Sequence, residues 1–449
     1  MQPAHYRFGG GSTGTFINPL VAVALVIAVL LILFLPRNKV IVPVLLAIFL
    51  IPKGQELLLA GAHFNGYRIV VVAGLARWFM MRRTSPLPGG FTSIDRLVTV
   101  LSISVCVVFS LRWMEAQAVI KALGDLLDAL GGYFVFRFLI RDRQDMTLAI
   151  QVMAILAIVI GAEMINEQRT RQNLFGELGG TLPIPEVRDG KVRSLGPFRH
   201  AICAGAYGAT LVPMLVWLWS ERKSRWMIPP AVAGAGAMAL TSHSSSNLGA
   251  LAAGVFALCL WPFRKRMRFF RYGIVAILVA LEIVMKGPVW SILEHINLTG
   301  ASESFHRYQL IDTFIRHFGD WWLVGTGDNG SWGWEMADTS NQYVTYGISG
   351  GLLAFSLFIA LIARCFGRLG ATRARVQGIF REEWVRWCLG SALFAYVIVY
   401  FGIDLFDQLE FAWLALVAMI AMTVSGRVPS RAMKPKRPNV AELRETVCQ

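Results

Sequence analysis

The sequence predicts an all-α protein: a polytopic transmembrane helical bundle of about 12–13 spans, with a large loop carrying short amphipathic helices. Three observations predict this class. Charged residues occupy only 16% of 449 positions, against about 25% in a soluble domain. Hydrophobic residues reach 55%, and the mean hydropathy is +0.54. The apolar residues also fall in blocks of about 15 to 25, the length that crosses about 30 Å of hydrocarbon.

In chain order the blocks lie near 17–35, 40–52, 67–80, 97–114, 118–136, 146–164, 198–219, 226–241, 247–262, 270–287, 341–363, 385–402 and 409–425. Met1–Asn18 lacks the basic segment of a secretory signal, so Ile17–Leu35 is expected to be a retained span. The blocks group into N-terminal helices (1–164), a central region (165–366) with long loops at 165–197 and 288–340, C-terminal helices (367–425) and a basic tail (426–449). The tail is polar and contains prolines, a composition expected to be disordered.

Lys and Arg gather on alternate sides of the blocks. One set holds Arg37 and Lys39, then Arg82, Arg83 and Arg96, then Arg137, Arg141 and Arg143. It continues through Arg222–Arg225, Arg264–Arg271, Arg364–Arg386 and the tail, and takes most of the 43 basic residues. Short basic loops stay cytoplasmic, so this side and the C-terminus are expected in the cytoplasm. The same distribution argues against nucleic acid as the partner of the +15 charge. Basic residues between apolar blocks are topology signals, and no zinc-finger spacing or aromatic-basic RNA signature accompanies them. The six cysteines show no CxxC and no Cys/His cluster. Five fall in or at the ends of apolar blocks, where cysteine acts as a small hydrophobe.

The opposite side carries Asn166–Pro197 and Gly287–Ser340. Ser302–Asp320 reads as an amphipathic helix, with Phe305, Tyr308, Ile311, Ile315 and Phe318 at helical spacing. Trp321, Trp322, Trp332 and Trp334 follow, as aromatics do at membrane interfaces.

Three stretches there can carry chemistry. The first is Val192–Ala201, where Arg193, Arg199 and His200 stand as the chain returns to the membrane. A guanidinium engages phosphate bidentately, or it snorkels to anchor a helix end. His200 is a packing histidine or a base. The second is Thr241–Asn247, a polar turn rich in serine. The third is the acidic loop with Arg307, the Gly-rich Val324–Gly330, and Asp338 leading into Asn341 and Tyr343. Arg316 has Asp312 and Asp320 at i,i+4, an ordinary surface arrangement. Val324–Gly330 lacks the P-loop pattern. Asp338 or Ser340 is an N-cap, or Asp338 is a general base beside arginines.

At these residues the chain resembles the O-antigen ligase and O-antigen polymerase family of bacterial membrane glycosyltransferases. Arg193 with Gly196-Pro197-Phe198 and His200 looks like the family's arginine and its Gly-x-Phe-x-His/Asn stretch. Thr241–Leu248 looks like its Ser-Arg-Gly turn, with His243 in the arginine's place. Arg307 followed by Trp322–Gly327 looks like the second arginine and a Pro-Leu-Leu-Gly-x-Gly stretch. Asn341-Gln342-Tyr343 with Gly347, Gly350 and Gly351 looks like its His-Asn-x-Tyr-Leu stretch, with Ser340 where the histidine stands. The likeness covers roughly 190 to 365.

The resemblance implies a bacterial inner-membrane enzyme that moves glycan from undecaprenyl diphosphate to a glycan or lipid acceptor hydroxyl at the periplasmic face, with no metal or cofactor. Membrane lipids, and other polysaccharide-assembly proteins, are the further partners it implies. On that reading Arg193 and Arg307, with Arg199 as accessory, hold the leaving diphosphate. Asp338 is the base, with His200 in reserve, and Asn341 and Tyr343 orient the sugar. Two other classes stand beside it. A transporter of the same lipid-linked sugars should show inverted repeats and charges at mid-span, and the candidates Glu163 and Glu282 lie near span ends. An inactive scaffold of a polysaccharide-assembly complex would tolerate the missing histidine.

Overall fold

The computed structural model describes residues 14–59, 62–81, 87–285, 287–292 and 302–425. Arg82, Arg83, part of the 288–340 loop and the basic tail from Gly426 carry expectations but lie outside these residues.

Every apolar block named above is helical. The order is α1 (Pro19–Phe34), α2 (Ile41–Leu50), a hairpin β1 (Glu56–Leu59) and β2 (Ala62–Asn65), α3 (Gly66–Met81), α4 (Ser93–Trp113), α5 (Ala116–Leu126) and α6 (Gly132–Leu139). Then come α7 (Arg143–Thr170), the short α8 (Leu174–Glu177), a second hairpin β3 (Glu186–Arg188) and β4 (Lys191–Arg193), α9 (Ala201–Trp217), α10 (Ile228–Thr241), α11 (Ser245–Cys259) and α12 (Met267–Val284). The chain closes with α13 (Ser302–Arg316), α14 (Phe318–Trp321), α15 (Gln342–Arg375), α16 (Phe380–Val399) and α17 (Asp407–Ser425). Among the described residues four helices are long and apolar enough to cross a membrane: Ser93–Trp113, Arg143–Thr170, Ala201–Ser220 and Gln342–Arg375. Pro19–Phe34 and Ser245–Cys259 are apolar but shorter.

Local chemistry sets the helix ends. Asn18 and Asp142 accept from backbone N–H groups one turn in, and Pro19 starts α1. Thr92 and Asp95 form a reciprocal capping box at α4. Asp95 is fully buried and also accepts from Arg137 Nε at 3.0 Å and Tyr133 Oη at 2.5 Å. A π-helical turn, Leu127–Gly131, joins α5 to α6. There Arg68 Nε reaches both carboxylate oxygens of Asp128 at 3.0 Å.

One apolar core runs through the bundle, and α9 is buried along almost its whole length. Its alanines and glycines let neighbouring backbones approach closely. By contrast α12 has no buried residue. Cys203, Cys365 and Cys388 are buried, as expected of small hydrophobes, while Cys259 is exposed.

The loop end departs from expectation in two respects. The amphipathic helix exists, but its buried face is Ser304, Arg307, Leu310 and Phe314, whereas Phe305, Ile315 and Phe318 point outward. Leu310 and Phe314 join Trp321, Met336, Val344 and Ile348 in a separate small core. Spacing marks an apolar stripe but does not say which side of the helix packs on the rest of the chain. The cap of α15 is Asn341, not Ser340 or Asp338: its side chain accepts from the N–H groups of Tyr343 and Val344.

Candidate functional site

Five polar segments meet where α9, α11, α15 and α17 begin. The first is the return segment Arg193–His200. Buried Glu167, near the end of α7, accepts from Leu195 N at 2.9 Å and Gly196 N at 2.6 Å. Ser194 N donates to Thr241 O at 3.1 Å, and Gln168 Nε2 donates to Val192 O at 2.6 Å. The segment is thus fixed to α7 and to the end of α10 before it enters α9. The hairpin before it turns at Asp189 and Gly190, both exposed and both at positive φ.

The polar turn is the second segment. Asn247 Nδ2 donates to Ser242 Oγ at 2.9 Å and to Ile202 O at 3.1 Å, which seats the turn on the first residues of α9. Ser244 and Ser246 hydroxyls lie 2.9 Å apart. Arg193 closes on this turn: its Nε is 3.5 Å from Ser242 O, and its Nη1 is 3.5 Å from Glu186. Desolvation first, then the charges of Lys191 and Arg193, lower the pKa of His243.

The third segment, α13, brings Arg307 to the other end of the same turn. Arg307 is only 9% exposed. A Cβ on Gly402 would stand 2.6 Å from Ser246 Cβ and 3.0 Å from Arg307 Nε. The two arginines, from distant parts of the chain, therefore flank the Ser242–Ser246 turn.

The last two segments are stitched together. Gln342 N donates to Tyr400 O at 3.0 Å and Ile403 O at 3.2 Å, and Gln342 Oε1 accepts from Leu405 N. This sets Asp404 near Asp338. Burial first raises the carboxyl of Asp404, and with the charges of Asp338 and Asp407 takes it to about 6. Asp338 itself is exposed and accepts from Ser340 Oγ at 2.7 Å. Asp407 is buried and pairs with Lys53. Gln408 Nε2 donates to Pro197 O at 3.1 Å, tying this loop to the return segment.

His200 lies edge-on to Phe406, with ring centroids 5.5 Å apart. Desolvation, then the charge of Arg199, lowers its pKa and keeps the ring neutral at pH 7. Arg199 is exposed at the rim. Asn341 is buried, and its Nδ2 has no hydrogen-bond partner among the described residues.

Tyr343 differs from the expected sugar contact. Its hydroxyl donates to Val397 O at 2.9 Å, and its ring packs against Phe358, Tyr400 and Phe401. An aromatic at the second residue of a helix that starts against other elements is drawn to the core by its area. Arg316 and Asp312 pair at 2.7 Å as expected, but Asp320 takes His317 instead.

Asp404 and Gly402 went unread in the sequence. The available signal is a short polar stretch, Gly402–Gln408, carrying two aspartates between the last two apolar blocks. No protein-family model and no curated protein matches this chain.

Proposed function

We propose that the chain is a polytopic glycosyltransferase of bacterial cell-surface polysaccharide assembly, held in the inner membrane with its C-terminus cytoplasmic. It transfers or polymerises glycan from undecaprenyl diphosphate onto an acceptor hydroxyl at the periplasmic face. The observation that carries this reading is that Arg193 and Arg307 flank one polar turn, at the end of the bundle opposite the basic loops.

The chemistry needs two things. The bond from the sugar's anomeric carbon to the diphosphate oxygen breaks, and negative charge gathers on the departing diphosphate. Fixed cationic donors aimed at that charge stabilise the transition state. Arg193 and Arg307 supply them, and Arg199 extends the positive rim. The acceptor hydroxyl must pass its proton to a base as its oxygen bonds the anomeric carbon. Asp404, with Asp338 beside it, is the better-placed pair, since burial raises Asp404 towards the working pH. His200 stays in reserve as a neutral imidazole. The free Nδ2 of Asn341 is a donor for a sugar hydroxyl.

Two outcomes follow. With Asp404 titrating near 6, its basic form is lost as pH falls. Transfer should rise from pH 5 to 7 with a midpoint near 6 and then level off, and Asp404→Asn should remove that limb. A profile unchanged in Asp404→Asn would exclude it as the base. Gly402→Ala should push Ser246 aside and crowd Arg307, since the added methyl stands 2.6 Å from Ser246 Cβ and 3.0 Å from Arg307 Nε. Transfer should therefore fall several-fold with normal insertion, because small misplacements of aligned groups are costly.

A scaffold is the second reading, favoured by Ser340 standing at the position of the family's histidine. Analysis of lipid-linked and surface glycans in cells lacking the protein separates the readings. Single repeat units on the carrier indicate a polymerase, and long chains on the carrier indicate a ligase. Full rescue by an Arg193→Ala, Arg307→Ala double variant leaves only the scaffold.

A further inference from the structure

The long helix α15 is broken at Gly350 (φ −143°, ψ 15°) and Gly351 (φ 70°, ψ −167°). The backbone groups released by the break are taken up by a turn from the preceding loop. Leu352 N donates to Trp322 O at 2.8 Å, and Ile348 O accepts from Thr326 N at 2.9 Å. Arg112, at the end of α4, bridges the two, donating from Nη1 to Ile348 O at 2.7 Å and to Val324 O at 3.2 Å. A side chain at Gly351 would strike the carbonyl of Leu323, with its Cβ 2.6 Å from the oxygen.

Position along α15 gives the depth. At about 1.5 Å per residue, Gly351 lies about 13 Å past Gln342 and about 20 Å short of Arg364, the first basic residue of the far side. Hydrocarbon about 30 Å thick, measured back from Arg364, extends to about Val344. The break, and the turn bonded to it, therefore fall inside the apolar layer. Irregular backbone persists at such depth only when protein satisfies its polar groups, and Arg112 with the two strands of chain does this.

The side chains of the turn face away from the protein. Leu323 is 64% exposed, Trp322 45% and Val324 47%, with Phe318 beside them. They continue directly into Leu352 and Leu353, exposed on the spanning helix itself. Patches of this kind are unusual on a surface that faces water.

We propose that Trp321–Gly327 is a re-entrant, lipid-embedded hairpin, seated in the outer leaflet with Trp322, Leu323 and Val324 against acyl chains. The occupant is bilayer lipid, because the surface is unbroken from a helix that crosses the membrane. The hairpin is flanked by Asp320 and Asp328, where the chain leaves the apolar layer. The proposal is independent of the enzymatic reading.

Full-length protein carrying Leu323→Cys or Asp328→Cys, spin-labelled in phosphatidylethanolamine–phosphatidylglycerol vesicles, tests it. The signal of the labelled unsubstituted protein is subtracted. At Leu323, collision with oxygen should exceed collision with a water-soluble nickel chelate several-fold, and at Asp328 the order should reverse. Chelate access at Leu323 equal to that at Asp328 would mean a water-facing loop and overturn the proposal. Low collision with both reagents would mean cover by a second copy or another protein, and overturns it equally. Should Leu323→Cys fail to accumulate, Val324→Cys reads the same immersion with the same outcomes.

Discussion

Arg307→Ala is expected to lower glycan transfer by about 10²–10³-fold, the usual effect of deleting one preorganised donor at developing charge. Arg307 projects from the buried face of α13, in line with Leu310 and Phe314. Its guanidinium packs close to Gly402, so little reorganisation is needed as the diphosphate departs. Arg307→Lys should recover only part of the loss, because an ammonium keeps the charge but not the planar fork. Arg193→Ala should behave alike, and the two losses should combine less than additively if both cations act on one leaving group. The measurement is transfer by purified protein from a lipid-diphosphate donor, with membrane insertion checked in parallel. Undiminished transfer in both alanine variants would sink the site as drawn.

Asp95→Ala is expected to be the most damaging single change to the fold. The one carboxylate completes the capping box of α4 and takes the Arg137 guanidinium and the Tyr133 hydroxyl, all at a fully buried position. Removing one partner of a buried ion pair strands the other charge and costs about 3–5 kcal/mol. The variant also loses the capping-box bond from Thr92 N to the Asp95 carboxylate, while the Thr92 cap itself remains. Thermal unfolding in detergent micelles should show a much lower midpoint. Asp95→Ala with Arg137→Met should recover most of it, since no charge is then stranded. A single variant as stable as the unsubstituted protein would show that the pair contributes nothing.

The helices were legible because block length is a local property, whereas the caps at Asn18, Thr92 and Asp142 were not read and the one cap that was read, Asp338 or Ser340, is Asn341. Arg193 and His200 were legible as candidates because charge at the start of an apolar block needs a reason. What sequence could not show is what tertiary contacts create. Asp404 matters only because Gln342 pulls its loop against the start of α15. Arg307 and Phe305 are two residues apart, yet one is buried and the other exposed, which the packing of distant segments decides. Tyr343 offered a hydroxyl on paper, and packing consumed it.

The hairpin ahead of Arg193 separates two demands on one segment. Its roots are pinned by Gln168, Glu167 and the end of α10, while its tip at Asp189 and Gly190 touches open space, with nothing within 4 Å of a side chain added at Gly190. Mutational drift and inserted sequence can therefore accumulate at the tip without moving the guanidinium three residues on. A longer tip is thus expected to leave the position of Arg193 unchanged.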